Sequence, residues 1–522
     1  MCLLQWASIH SNSYSIYKLF FQIAKHTITM EGLRPIRVSK EDSEDGQPLS
    51  PMARMFHQPH SNVYIIIILG FKTSINPLAF KATLRHSLLK HPRFSSLKVV
   101  DEENGGEMRW VRTEVNLDNH VRVPKLDPCM ESPDNFVEDY ASNLSTTIIS
   151  KSMPLWDVHL LNVQTSEAQS TCIIRVHHSL GDGISLMSLL LSCTRKASDA
   201  EALPSIPTIK RSNTSNNSGG FSQFLLKLWC LALLYWNTIV DIVMSLGTIF
   251  FLEDTKTPLK ATLPLGTPRK RLVHKTISLD DVKLVKNAMG ATINDVMVAI
   301  TQVGLSSYIN RKFGDNKKDN QGAKGNASNN LPNNIRLRAA LFVNLRSSAG
   351  IQAFDDMTRR DSKARWGNHI GYVLFPFTMA IRDDLLDHVR EAKLTGDRKK
   401  ATFEAKFNYC MARFFPKWFT NKMSSFPSRT TLWFSNTPGP AEEISYFGHP
   451  VSFIALSVYG QPNALMIHVV SYEKKMKIIL SADENVISDP HQLCDDLQNS
   501  LELIKNAVIA RKREDPQLYK HH

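Results

Sequence analysis

Residues 171–192, TCIIRVHHSLGDGISLMSLLLS, place an apolar run, two adjacent histidines, an aspartate between two glycines and a second oily run in one short stretch. The β-branched opening reads as a strand, and the run from Ile184 reads as a helix. A strand, a tight loop and a helix in that order present polar groups at the end of a sheet. The stretch therefore predicts a mixed α/β fold with His177, His178 and Asp182 at a sheet end.

The same alternation recurs on both sides. NVYIIIILGF (62–71) reads as a buried strand, and LWDVHLLNV (155–163) as another, joined to the opening strand by the polar turn QTSEAQS. In NPLAFKATLRHSLLKHP, Asn76 is placed to cap a helix that starts with Pro77, carries Phe80, Leu84 and Leu88 on one face, and stops at Pro92. After residue 270, HKTISLDDVKLVKNAM predicts a strand, an aspartate cap and a helix, and TINDVMVAI predicts a further helix with Thr292 and Asp295 at capping-box spacing. Strands are expected at RAALFVNLR, HIGYVLFPF, TLWFSN, VSFIALSVYG, LMIHVVSY and MKIILSA, with a closing helix near 490–510.

A chain of 522 residues exceeds one ordinary core, and at about 150 residues per domain it predicts two large ones. The expected division is residues 30–200, a connecting region 201–270, and residues 271–522 with a mobile polar loop at 315–334. Residues 1–29 look foreign to the rest of the chain, with a short apolar centre and no small-residue cleavage site. Within the connecting region, 201–220 is a linker rich in Pro, Ser, Asn and Gly, and LWCLALLYWNTIVDIVMSLGTIFFL (228–252) is long enough to span a bilayer. Its polar residues Asn237, Thr238, Asp241, Ser245 and Thr248 nevertheless form one stripe at helical spacing. That pattern favours a helix lying in a membrane interface or against protein.

The net charge is +13, which calls for an anionic partner such as a membrane surface or phosphorylated small molecules. No zinc-ligand spacing, RNP-like segment or long basic helix is present, so a nucleic-acid partner is not expected. Seven cysteines are scattered and never paired as CxxC, which is the pattern of a reducing compartment without structural zinc.

Successive side chains of a strand point to opposite faces, so His177 and His178 cannot share one small target, and a metal pair is not expected. His178 stands four positions before Asp182, with Gly181 and Gly183 allowing a sharp turn. One histidine can then serve as a general base while the aspartate orients the loop or the ring. The competing reading makes His178 a satisfied polar residue and Asp182 an ordinary helix cap.

The full string HHxxxDG, between an apolar strand and an apolar helix, resembles the plant-type wax ester synthase/diacylglycerol acyltransferases, the O-acyltransferase WSD family of the CoA-dependent HHxxxDG superfamily. Further segments carry the resemblance in the family's order: PLSPMARMF (48–56), HPRFSS (91–96), PLWDVHL (154–160), HHSLGDG (177–183), NDVMVAI (294–300), FVNLR (342–346), GNHIGYVLFPF (367–377) and SNTPGP (435–440). The resemblance covers the chain from about Met30 to the C-terminus.

It implies two chloramphenicol-acetyltransferase-like domains meeting at a tunnel. His178 would take the hydroxyl proton of a long-chain fatty alcohol or a diacylglycerol, whose oxygen attacks the thioester of an acyl-CoA co-substrate. His177 would support it, Asp182 would shape the loop, and Gly183, Asn294 and Asp295 would lie near substrate. No bound cofactor, metal or covalent acyl-enzyme is implied, and Ser179 lacks a nucleophile elbow. SNTPGP has two readings, the turn from which one domain reaches over the other or simply a turn fixed by its prolines and glycine. A membrane partner is implied, at the cytosolic face of the endoplasmic reticulum with the plasma membrane as a second location. One crossing at 228–252 would put the two halves of the site on opposite membrane faces, so an in-plane helix is expected. The alternatives are a soluble HxxxD acyltransferase of specialised metabolism, for which no DFGWG occurs near the C-terminus, and a non-catalytic lipid-binding member of the fold.

Overall fold

The computed structural model describes residues 46–514 apart from 59–60, 103–105, 128, 206–220, 261–267, 322–328, 347–365 and 415–425. The expected extension at 1–29, most of the linker at 201–220 and part of the loop at 315–334 lie outside the described residues.

Two sheets organise the molecule. The strands that the first half gives to its main sheet are β1 (Tyr64–Phe71), β2 (Val121–Arg122), β3 (Trp156–Leu161), β4 (Ser170–His177) and β5 (Thr194–Lys196), while Gln47–Pro48, Ser96–Asp101 and Glu107–Arg112 form a small separate sheet. Those of the second half are β6 (Lys270–Ser278), β7 (Leu337–Asn344), β8 (Ile370–Phe377), β9 (Leu432–Thr437), β10 (Ile444–Tyr446), β11 (His449–Tyr459), β12 (Leu465–Tyr472) and β13 (Lys475–Asp483). The N-terminal sheet runs β2-β3-β4-β1-β11-β10-β5, and the C-terminal sheet runs β8-β7-β9-β12-β13-β6. Strands β10 and β11 thus leave the second half, just after SNTPGP, and complete the sheet of the first. The pairing is antiparallel, from Val451 against Phe71 to Tyr459 against Tyr64.

The helices follow from their caps and apolar faces. Among the described residues those longer than four residues are α1 (Pro51–Met55), α2 (Pro77–His86), α3 (Pro133–Leu144), α4 (Gly183–Ser192), α5 (Phe221–Phe250), α6 (Leu279–Ala288), α7 (Ile293–Gln321), α8 (Leu386–Ala401), α9 (Glu404–Phe414) and α10 (Pro490–Glu514). Asn76 caps α2 as expected, with Phe80 and Leu84 buried, but that helix ends at His86, and Pro92 opens a separate 3-10 turn. The cap of α6 is Ser278, whose hydroxyl accepts from the Asp281 amide, and the aspartates occupy the first turn. Serine bonds the amide three residues on, while carboxylates beside the helix N-terminus gain from its dipole. Helix α7 continues to Gln321, beyond the expected start of the polar loop at 315. The residues from Asp315 on are polar and carry no apolar periodicity, so the sequence pattern did not mark the extension.

Helix α5 is inverted relative to an ordinary surface helix. Its polar stripe faces protein: Thr238, Asp241, Ser245 and Thr248 are buried. Asp241 meets Lys399 at 2.8 Å and Arg398 at 3.0 Å, Ser245 donates to Glu404 at 3.0 Å, and Thr248 accepts from Arg338 at 2.6 Å. Its apolar side chains point outward, with Phe224, Leu226, Trp229, Trp236, Ile239 and Val243 all exposed. Residues 224–233 are exposed all round, so that end stands clear of the body.

Candidate active site

The HHSLGDG loop leaves β4 at His177 and enters α4 at Gly183, and segments from both halves grip it. His178 has passed the end of the strand. Its amide donates to the Val63 carbonyl at 2.9 Å, and its ring stacks on Phe56 at 4.0 Å. From the second half, the Asn368 amide nitrogen donates to the His178 carbonyl at 2.9 Å, which turns the Asn368 Oδ1 toward His178 Nδ1 at 3.0 Å. An amide oxygen can only accept, so Nδ1 carries the proton and Nε2 keeps its lone pair. No hydrogen bond to Nε2 occurs among the described residues.

His177 is held the other way round. Its Nδ1 accepts from the Ser179 amide at 3.2 Å and the Ser179 hydroxyl at 2.7 Å, so its Nε2 carries the proton and donates to Asn62 Oδ1 at 3.1 Å. The ring stacks on His57 at 4.2 Å and meets the Tyr64 edge at 4.9 Å. Both nitrogens are spent on local partners, and the Ser179 hydroxyl is committed to this turn. Strand alternation alone separates the two rings. The hydrogen bonds go further, because they leave only His178 with a free lone pair.

Burial pushes the His178 pKa below 6.5, against the opposing pull of the Asp182 charge and the Asn368 hydrogen bond. His177 is driven well below 6.5, first by burial and then by His57 and His178. Both rings are therefore neutral at pH 7, the state a general base requires.

Asp182 does what its two readings offered, but not to the imidazole. Its Oδ1 accepts from the Ser185 amide at 2.9 Å and caps α4. Its Oδ2 takes Arg346 at 2.8 Å and the His369 amide at 2.9 Å, with the carboxylate fully buried. Arg346 also donates to Ser185 Oγ and the Gly367 carbonyl, each at 2.8 Å. The Trp366 indole donates to the Leu180 carbonyl at 2.8 Å. This clasp fixes the loop that carries the histidines.

The glycines act differently from expectation. Neither Gly181 nor Gly183 has positive φ, so neither supplies an unusual turn. A side chain at Gly181 would press on Trp366 at 3.1 Å, whereas one at Gly183 would meet nothing within 4 Å, leaving open space beside the loop. Among the described residues no hydrogen bond, ion pair or ring contact joins Asn294 or Asp295 to His178. Asp295 forms the predicted capping box with Thr292, at 2.9 and 3.2 Å, and pairs with Lys400 at 3.3 Å. Among the described residues no three His, Cys, Asp or Glu side chains converge as metal ligands do.

Sequence reasoning missed Asn368, Arg346, Trp366 and Phe56 as site residues. All but Trp366 lie in segments that carry the family resemblance, which was the available signal; only the fold brings them to the loop. Beside the site, Arg175 and Asp157 form a buried two-pronged pair at 2.8 and 2.5 Å, and Arg175 also donates to Thr147 Oγ1 at 2.6 Å. That pair fixes β4 to β3 just before the histidines.

Two family models match the chain: the wax ester synthase/diacylglycerol acyltransferase catalytic domain over residues 72–297, and the WS/DGAT C-terminal domain over residues 366–505. Wax ester synthase/diacylglycerol acyltransferase 4 of Arabidopsis thaliana is 45% identical, across 91% of this chain and 93% of the relative. Wax ester synthase/diacylglycerol acyltransferase 11 of the same plant is 46% identical, across 91% and 98%. Among solved structures, the chain is similar in fold to the wax ester synthase/diacylglycerol acyltransferase of Marinobacter aquaeolei, at 17% identity, a TM-score of 0.56, and coverage of 88% of this chain and all of that one. It is also similar in fold to the starter condensation domain of rhizomide synthetase in complex with C8-CoA, at 12% identity, a TM-score of 0.51 and coverage of 89% and 95%. The protein belongs to the wax ester synthase/diacylglycerol acyltransferase family and is an acyltransferase.

Proposed function

We propose that the protein transfers the acyl group of a long-chain acyl-CoA to the hydroxyl of a fatty alcohol or a diacylglycerol, with His178 as the base. The hydroxyl proton passes to His178 Nε2 while the oxygen attacks the thioester carbonyl. The tetrahedral intermediate then expels the CoA sulfur, which takes the proton back from the imidazolium, giving an ester and free CoA. No side chain is acylated on the way. The observation that carries this reading is the pair of opposite tautomers, which frees a lone pair on His178 and none on His177. His177, Ser179 and Asn62 then hold the strand end, and Asp182 with Arg346 and Asn368 sets the ring.

The reaction then belongs at a membrane, on the cytosolic face of the endoplasmic reticulum, with the plasma membrane as a second location. Helix α5 supports this: a contiguous exposed apolar face of this size is a contact surface, and its polar stripe is already used on the protein. The free segment from Phe224 to Trp236 reaches about 20 Å as a helix, short of the roughly 30 Å of a bilayer core. It suits insertion into one leaflet and leaves both sheets on one side. The net charge of +13 suits an anionic surface and the phosphates of CoA.

The test supplies the purified, membrane-reconstituted protein with labelled palmitoyl-CoA and either hexadecanol or diacylglycerol, beside His178→Ala. Wax ester or triacylglycerol formation by the parent alone is the expected result. Equal product from the variant would overturn the assignment of His178, and no product from the parent with any acceptor would favour a lipid-binding role.

A further inference from the structure

Five buried side chains in the seam between the two sheets have hydrogen-bonding atoms without a partner among the described residues. They are Trp433 Nε1, Ser457 Oγ, both amide atoms of Gln461, His468 Nδ1 and Ser481 Oγ. None of the five residues is more than 6% exposed. Unpaired buried polar atoms oppose folding, so a group of them in one place calls for a ligand.

The backbone register sets these side chains on facing surfaces. Trp433 and Ser481 both pair with Met466, on opposite sides of β12, and His468 lies two residues further along that strand. They share the face whose members Trp433, Met466 and Ile479 join the core of the N-terminal half. Ser457 alternates along β11 with Phe453 and Tyr459. Phe453 holds the Lys477 ammonium at 4.3 Å from its ring, so this face of β11 looks at the C-terminal sheet. Gln461 follows Gly460, whose φ of +88° and a distance of 2.0 Å from a built Cβ to the Asn62 carbonyl show how closely the turn approaches that strand. Asn62 accepts from His177, and Val63 accepts from the His178 amide. The polar row therefore ends beside the catalytic loop.

The chemistry of the row selects among acceptors. An indole N–H can only donate, so its ligand must bring an acceptor. The buried strand neighbours of these groups are apolar, Ile66 beside Ser457, Met466 beside Trp433 and Ile479 beside His468, so the ligand must be mostly apolar with polar atoms at several points. A fatty alcohol has one polar group, the hydroxyl that His178 would deprotonate. A diacylglycerol has that hydroxyl and two ester carbonyls besides.

We propose that this row is an acceptor-selecting site, in which Trp433, His468 and Gln461 hold the ester groups of diacylglycerol while its free hydroxyl meets His178. The proposal rests on the acyl-transfer reading above. The experiment compares kcat/KM for dioleoylglycerol and for hexadecanol, with labelled palmitoyl-CoA, in the reconstituted full-length parent, Gln461→Leu and His468→Phe. The expected result is a ratio of diacylglycerol to hexadecanol activity that falls about tenfold for each lost contact. Ser457→Ala, which removes a single atom, keeps the comparison available if a larger change prevents folding. Equal losses on both acceptors would assign the row to packing and overturn the proposal, as would an unchanged ratio, the outcome if it holds only internal water. A folded parent active on hexadecanol alone would overturn the proposal and leave acyl transfer standing. A folded parent inactive on both would overturn acyl transfer as well.

Discussion

At the scale of single residues, the proposed reaction turns on which imidazole keeps a lone pair. Burial holds the His178 pKa below 6.5, so the proposed base is neutral at pH 7 and gains a proton only in acid. The pH profile of kcat/KM is expected to be flat above 6.5 and to fall on the acid side with a midpoint below that value. Asn368→Leu removes the hydrogen bond that fixes Nδ1–H and favours the charged ring. Its expected signature is a loss of about tenfold in kcat, as for one misplaced catalytic group, with a midpoint at still lower pH. Arg346→Ala leaves the Asp182 carboxylate buried and unpaired, and thermal denaturation should show a loss of about 3 kcal/mol. His178 and Asp182 were legible in the sequence because they sit in one short motif. Asn368 and Arg346 were not legible as partners, because they stand more than 160 positions away and only the fold brings them to the loop.

At the scale of elements, α5 is held by polar contacts and exposed on its apolar side. Asp241→Ala would leave the buried Lys399 ammonium with the Glu404 carboxylate in place of two anionic partners, at a cost of about 2 kcal/mol in unfolding experiments, the scale of a lost charged hydrogen bond. Trp229→Glu with Trp236→Glu alters only exposed positions, so stability should hold while sedimentation with anionic vesicles is lost. Retained vesicle binding would assign the apolar face to another partner. The polar stripe was visible at spacings of three and four, which separated this helix from an ordinary span. The direction it faces was not visible, since Arg398, Lys399 and Glu404 lie on α8 and α9, two helices that no apolar pattern announces. Helix α8 is largely charged, and a charged helix with a narrow apolar stripe gives little periodic signal.

At the scale of the whole molecule, the crossing of β10 and β11 makes the two halves one folding unit. The long strand β1 has β4 on one side and β11 on the other, so an N-terminal fragment would expose the edge of its central strand. Residues 46–200 alone are expected to aggregate, and the full chain to unfold in one cooperative transition by calorimetry. Acid should weaken it. His91 and His468 are fully buried with pKa values lowered by burial to about 3, whereas in the unfolded chain they titrate near 6.5. Below pH 6.5 the unfolded state binds protons that the folded state refuses, so each histidine removes roughly 1.4 kcal/mol per pH unit until about pH 3. Urea midpoints taken from pH 7 to pH 4 should fall accordingly. The strands were legible from their β-branched runs, and SNTPGP marked the crossing, but strand order is a property of pairing that no single run carries. In the proposed reaction all of this architecture serves one atom, His178 Nε2. The direct measurement is the rate of labelled ester formation by the reconstituted parent and by His178→Ala at saturating acyl-CoA. The predicted result is a loss of roughly 10²- to 10⁴-fold in kcat with an unchanged KM for acyl-CoA, and a variant that keeps the parent's rate would contradict the role of His178 as the base.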